Sequence, residues 1–257
     1  MRKIPFEIDF LDKAVGGYPI GKVILFYGRA GSGKTHFAVY HPIFQLLKYR
    51  PAILSNPRQN KLVIISADKS VDYDRIEQLA EIHNVDINTL WEVLHIIEVN
   101  TWKELYQAVR HDLVDLVKNQ NQQIHMIAVD PINNLYRRVL LKTEGKQMRP
   151  VAKNLQGELE EIFAVIFAIT HKFDGIITMT SWQRNGDVEV KPGDWYKEIY
   201  GGIGISHYVS VALKLTVLSR RPKVVKCEIV KNRLGEEGII GKIKITREGI
   251  KVMSNES

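Results

Sequence analysis

The sequence holds a single cysteine, Cys227, in 257 residues, so it can form no internal disulfide and no zinc site built from several thiolates. It also lacks a long hydrophobic run. The longest unbroken apolar stretch covers residues 162–169, well short of the about 20 residues that cross a bilayer, so no membrane span is expected. The N-terminus turns acidic at Glu7 before an apolar segment develops, unlike a secretory signal, and a cytoplasmic protein is expected. Internal repeats and low-complexity tracts are missing as well. Acidic residues are scarce in one segment only. Lys214 to Lys251 carries 11 basic residues against four acidic ones, a surplus equal to the net charge of +7 of the whole chain. The remainder is balanced, which points to one basic region with nucleic acid as the first partner to consider; solvated, lysine-rich strand faces are the alternative.

What is present, 45% hydrophobic and 25% charged residues, suits one large globular domain over residues 1–257. Apolar runs at Val23 to Tyr27, Leu62 to Ile65, Leu94 to Val99, Ile124 to Val129 and Ile176 to Thr180 read as buried strands. Helical patterns at His36 to Leu47, Tyr73 to His83, Trp102 to Val117 and Val151 to Phe173 separate them. This alternation predicts an α/β fold with a mostly parallel central sheet flanked by helices. Beyond residue 208 three strands follow without helices, Val209 to Val217, Val224 to Val230 and Ile239 to Ile245, which predicts a C-terminal antiparallel extension. Lys48 to Lys61, Leu140 to Pro150 and Arg184 to Gly202 read as polar connections, and long loops in compact domains commonly carry function.

Gly28-Arg29-Ala30-Gly31-Ser32-Gly33-Lys34-Thr35 fits the phosphate-binding loop pattern, and it follows an apolar strand and opens a helix, as that pattern requires. Glycines let backbone N–H groups curl around phosphate oxygens, the helix N-terminus at His36 adds its dipole, and Lys34 neutralises the terminal phosphates. Thr35 offers a hydroxyl to Mg²⁺. The apolar strand Ile124 to Asp130 ends in a carboxylate suited to hold that metal through water, although a helix cap is an equal reading of Asp130 alone. ATP and Mg²⁺ are the expected cofactors.

With these residues the chain resembles the RecA/RadA recombinase superfamily, and within it the short, RadB-like archaeal paralogues of RadA. The likeness runs over residues 6 to 252. It rests on Leu11-Asp12 with Gly16-Gly17, on Asp130 running into Tyr136-Arg137, on Gly201-Gly202 with His207, and on Lys231-Asn232-Arg233. It implies a RecA-like P-loop NTPase core without the family's N-terminal helix-hairpin-helix domain, and residues 254–257 are expected to be disordered. It further implies that Arg75 stacks on adenine, that Gln183 is a sensor of the terminal phosphate, and that Lys231 and Arg233 reach a neighbour's nucleotide. Arg75 reads equally as a helix-surface arginine. Where the family has a catalytic glutamate this chain has Asp68, one methylene shorter, so weak hydrolysis is expected; a loop or cap role for Asp68 stays open. Ser181-Trp182-Gln183 departs from the family's Asn-Gln pair. Leu140 to Pro150, with Lys142, Lys146 and Arg149, matches the first DNA loop; the segment with Arg184, Lys191 and Lys197 matches the second. There Trp195 and Tyr196 suit base stacking on single-stranded DNA. A RadA-type recombinase and a second copy of the chain are the further partners implied. The function implied is that of an accessory ATPase in recombination and repair. A KaiC-like or helicase-like oligomeric ATPase and a hydrolysis-deficient, nucleotide-switched module are the alternatives.

Overall fold

Strand β1 (Val23–Gly28) is buried along its whole length, because both faces of the sheet are covered there: Ile24 and Phe26 point into one apolar layer, Val23, Leu25 and Tyr27 into the other. The computed structural model describes residues 3–143, 145–184, 190–191 and 193–253, with the side chain of Lys146 excepted. In chain order the elements are α1 (Asp9–Val15), β1, α2 (His41–Tyr49) entered through a π-helical turn (His36–Tyr40), α3 (Ala52–Ser55), β2 (Asn60–Ser66), α4 (Tyr73–Ile82), α5 (Ile87–Val93) and β3 (Leu94–Glu98). There follow α6 (Trp102–Gln107) and α7 (Leu113–Lys118), joined by a second π-helical turn, then β4 (Gln123–Asp130), α8 (Asn133–Leu141), α9 (Met148–Lys172) and β5 (Ile176–Trp182). The chain closes with α10 (Gly202–Ser206), β6 (Val209–Arg220), β7 (Lys223–Asn232), β8 (Ile240–Thr246) and β9 (Gly249–Val252).

These strands form one sheet in the order β3-β2-β4-β5-β1-β6-β7-β8-β9. The α/β class holds, with two refinements. Strand β6 pairs parallel to β1 and antiparallel to β7, so the change of direction comes one strand later than expected, and β9 adds a fourth strand to the C-terminal group. Residues of α1, the P-loop helix, α4 and α5 fill the layer on one side of the sheet, and residues of α6 to α9 fill the other. Side-chain caps start several helices: Asp72 accepts from the Arg75 N–H, Asp86 from Thr89 and Thr101 from Glu104.

Two expected loops are partly regular. The connection Lys48 to Lys61 contains α3 and the start of β2. Leu140 to Pro150 is mostly helical, since α8 runs to Leu141 and α9 starts at Met148. Pro150 stands in the first turn of α9, where its missing N–H leaves no bond unmade. The expectation for residues 254–257 lies outside the described residues.

Candidate nucleotide-binding site

The P-loop leaves β1 at Gly28, where β6 approaches so closely that a Cβ would sit 2.3 Å from the Leu215 carbonyl oxygen. Gly31 and Gly33 take positive φ of 74° and 90°, which lets successive N–H groups turn inward. At Gly33 the side chain of Ile245, from β8, fills the place of a Cβ. Lys34 is buried and turns back on its loop, donating to the carbonyls of Gly28 (3.2 Å) and Arg29 (3.0 Å). Burial lowers its pKa, while the carboxylates of Asp130 and Asp68 act in the opposite sense.

Asp130, at the end of β4, closes the loop from below. Thr35 donates its hydroxyl to Asp130 Oδ2 (2.7 Å), Ser70 donates to the same oxygen (2.9 Å), and Thr180 donates to Oδ1. Burial pushes the carboxyl above its ordinary range, and the hydroxyls of Thr180 and Thr35 pull it back. Thus Lys34, Thr35 and Asp130 are brought together as expected, and Ser70 and Thr180 complete the group. Neither was foreseen, since an isolated hydroxyl carries no pattern in a sequence.

A cavity of about 370 Å³ opens above the loop. It is lined by Ala30, Gly31, Gly33, Lys34, Thr35 and His36 of the loop and the turn after it, and by Tyr40, Asp68, Ser70, Asp72, Arg75, Asp130, Trp182 and Lys223. The residues fit a nucleotide polyphosphate: turned-in glycines, a buried ammonium group, and the buried Ser32 hydroxyl, which has no hydrogen-bond partner among the described residues. They also fit Mg²⁺, a hard cation that takes oxygen donors such as Thr35 and Asp130.

The remaining expected residues are placed as follows. Asp68 lines the cavity, but its Oδ1 accepts the Ser70 N–H (3.0 Å), so it is also a turn cap, with Lys69 at φ 57° between them. Arg75 lines the cavity too; its guanidinium donates to the carbonyls of Thr246 (2.8 Å) and Arg247 (2.6 Å) at the β8–β9 turn. Gln183 does not line it: its amide donates to Glu198 (3.1 Å) and only its backbone reaches the P-loop, at the Gly28 carbonyl. The neighbouring Trp182 does, with Lys34 Nζ 5.6 Å from its ring centroid. Asn133 fixes Trp182 by accepting its N–H (3.0 Å) and donating to its carbonyl (3.1 Å).

Lys231 donates to the Ser206 carbonyl (2.6 Å) and lies 5.5 Å over Trp195, so neither it nor the exposed Arg233 lines this cavity. Burial, with Arg233 nearby, lowers the Lys231 pKa to about 8. Lys142, Arg149 and Lys191 are exposed, Lys197 pairs with Asp194, and the Arg184 guanidinium lies 5.2 Å from the Tyr200 ring. Trp195 is not offered to a base as expected: it is buried beside Tyr27. Residues 185–189 and 192 of the second loop lie outside the described residues.

A glycine loop between a buried strand and a helix, with a strand-end aspartate on its threonine, sits in a mostly parallel sheet. That is the arrangement of a RecA-like P-loop NTPase core. The chain is 25% identical over 242 residues to the DNA repair and recombination protein RadB of Methanococcoides burtonii, covering 92% of this chain and 91% of that one. Among solved structures it matches the crystal structure of the RadB recombinase with a TM-score of 0.70 and 18% identity, covering 98% of this chain and all of the other. No family model matches. The chain is thus similar to RadB in sequence over nearly its whole length and shares the fold of the RadB recombinase.

Proposed function

We propose that this chain is a single ATPase unit that binds ATP and Mg²⁺ and acts as an accessory or mediator in homologous recombination and DNA repair. It hydrolyses ATP weakly and binds single-stranded DNA. The contact of Thr35 with Asp130 beneath the glycine loop carries the reading, because it pairs a metal-binding hydroxyl with a metal-binding carboxylate at the phosphate end of the cavity. Lys34 holds the phosphates and Arg75 offers its planar group to the base. Thr35 and Asp130 would hold Mg²⁺, which would supply neutralisation of the phosphate charge. Lys142, Lys146, Arg149, Arg184, Lys191 and Lys197 track the phosphates of the strand. A RadA-type recombinase is the proposed protein partner, and the cytoplasm is the expected compartment. Among the described residues no helix is long and apolar enough to cross a membrane.

A second reading, a nucleotide-held switch that scarcely hydrolyses, is favoured by the Asp68 carboxylate being tied to Ser70 and by Trp182 occupying the cavity wall. ATPase assays with and without single-stranded DNA, across protein concentration, separate the two. Turnover that rises with DNA and is abolished by Lys34→Ala supports the first; turnover indistinguishable from that variant supports the second. Absence of salt-dependent binding to a labelled single-stranded oligonucleotide, with and without MgATP, overturns the DNA-binding part.

A further inference from the structure

The positive surplus of Lys214 to Lys251 is mostly not used by the nucleotide cavity, which takes only Lys223 from that segment. The strand register sorts the rest. In β7, Val225, Cys227 and Ile229 are buried and, with Ile243 of β8, pack into the apolar layer shared with α1 and the P-loop helix. Side chains alternate along a strand, so the residues between them face away. There Lys226 stands directly opposite Lys242, and Val224 opposite Lys244, across the β7–β8 pair; Lys244 stands opposite Lys251 across β8–β9. Four lysines therefore share one face. Lys214 and Thr216 of β6 extend it, opposite Glu228 and Lys226.

This face is open. Lys242, Lys244 and Lys251 are exposed, and Leu218 and Ile240 are 50% and 53% exposed beside them. Glu228 pairs with Lys226 (3.1 Å), Glu248 with Lys251 and Glu198 with Lys214 (2.6 Å), while Lys242 and Lys244 have no carboxylate partner among the described residues. Like charges directly opposite on adjacent strands repel, a cost to folding that alternating signs would avoid. An anionic partner converts that cost into affinity.

The face carries no aromatic ring among its described residues, and single strands are held largely by stacking on such rings. Neighbouring strands lie about 4.8 Å apart and alternate residues about 6.8 Å apart, so the ammonium groups form a two-dimensional array matched to a stiff, densely charged surface. We propose that the outer face of β7, β8 and β9 binds the phosphate backbone of duplex DNA, without reading its bases, through lysines other than those assigned to the nucleotide and to single strands.

Anisotropy of a labelled duplex of mixed sequence, across a salt series, tests this in the full chain. Wild type is expected to bind, with affinity falling linearly on logarithmic axes. The joint variant Lys226→Gln, Lys242→Gln, Lys244→Gln, Lys251→Gln is expected to lose at least ~10-fold in duplex affinity at low salt and to flatten the slope by about 3 to 4. Its MgATP and single-strand binding are expected to stay as in wild type. Lys242→Glu with Lys244→Glu sets opposite charges across both strand pairs, so it keeps the fold, checked by thermal unfolding, and still abolishes duplex binding. The proposal is overturned by a wild type that binds no duplex, by a joint variant with the wild-type slope, or by equal loss of duplex and single-strand binding. Binding to acidic protein or anionic vesicles with none to duplex also overturns it. Single-strand binding that fails while duplex binding follows these variants overturns the proposed function and leaves this surface standing.

Discussion

Asp68 and Trp182 are the two residues that set this cavity apart from a plain phosphate site. The Asp68 carboxylate reaches one methylene less far than glutamate and spends one oxygen on the Ser70 N–H. Displacement of a reacting group by ~1 Å can cost on the order of 10²-fold in rate. Asp68→Glu is therefore expected to raise ATP turnover by about tenfold or more, measured by phosphate release; unchanged or lower turnover places Asp68 as a turn residue alone. Trp182 lies within 5.6 Å of the Lys34 ammonium, so phosphate drawing Lys34 off the carbonyls of Gly28 and Arg29 alters the ring's surroundings. MgATP is expected to change tryptophan emission, and Trp182→Phe to remove that change although Trp91, Trp102 and Trp195 remain. A signal that survives in the variant contradicts this placement. Lys34, Thr35 and Asp130 were legible in the sequence because the P-loop is local and its glycines are required one by one. Ser70, Thr180 and Lys223 were not, since distant segments bring each to the loop.

At the scale of elements, the C-terminal strands are fastened to the nucleotide site. Ile245 fills the space beside Gly33, and Arg75 holds the Thr246 and Arg247 carbonyls at the β8–β9 turn. Gly33→Ala is expected to lower stability by about 1–3 kcal/mol, through positive φ and through contact with Ile245. Ile245→Ala in the same chain recovers the steric share only, so a double-mutant cycle in denaturant unfolding reads a coupling; strict additivity contradicts the contact. The buried strands and the long amphipathic helix α9 were legible because apolar runs and helical periodicity are strong signals. Short helices such as α5 and α8, of 7 and 9 residues, fall below the window of about 11 residues over which a helical period stands out. Pro150 read as a break, yet proline in a first turn belongs to the helix. The direction of β6 depends on a partner, β1, almost two hundred residues earlier, which no local pattern encodes.

For the molecule as a whole, several histidines are held neutral by burial. His41 and His125 are lowered to about 4 and His36 to about 3, from an ordinary value of 6.5. The unfolded chain then binds more protons than the folded one below pH 6.5, so stability is full above that value and is lost as pH falls toward 4. The melting temperature is expected to fall across that interval, and a flat profile there contradicts the burial of these rings. The nine-stranded sheet joins two kinds of surface: a parallel half that presents the P-loop at its strand ends, and an antiparallel part that lies over the loop on one face and shows lysines on the other. The account stands on the P-loop holding a nucleotide with its metal. Titration calorimetry of ATP, with and without Mg²⁺, on wild type and Lys34→Ala tests it directly. Tighter binding with Mg²⁺, weakened about 10- to 100-fold by the variant, is the expected result, in line with about 1.5–3 kcal/mol for a hydrogen bond to a charged group. Equal affinities for the two proteins, or no binding to wild type, would contradict it.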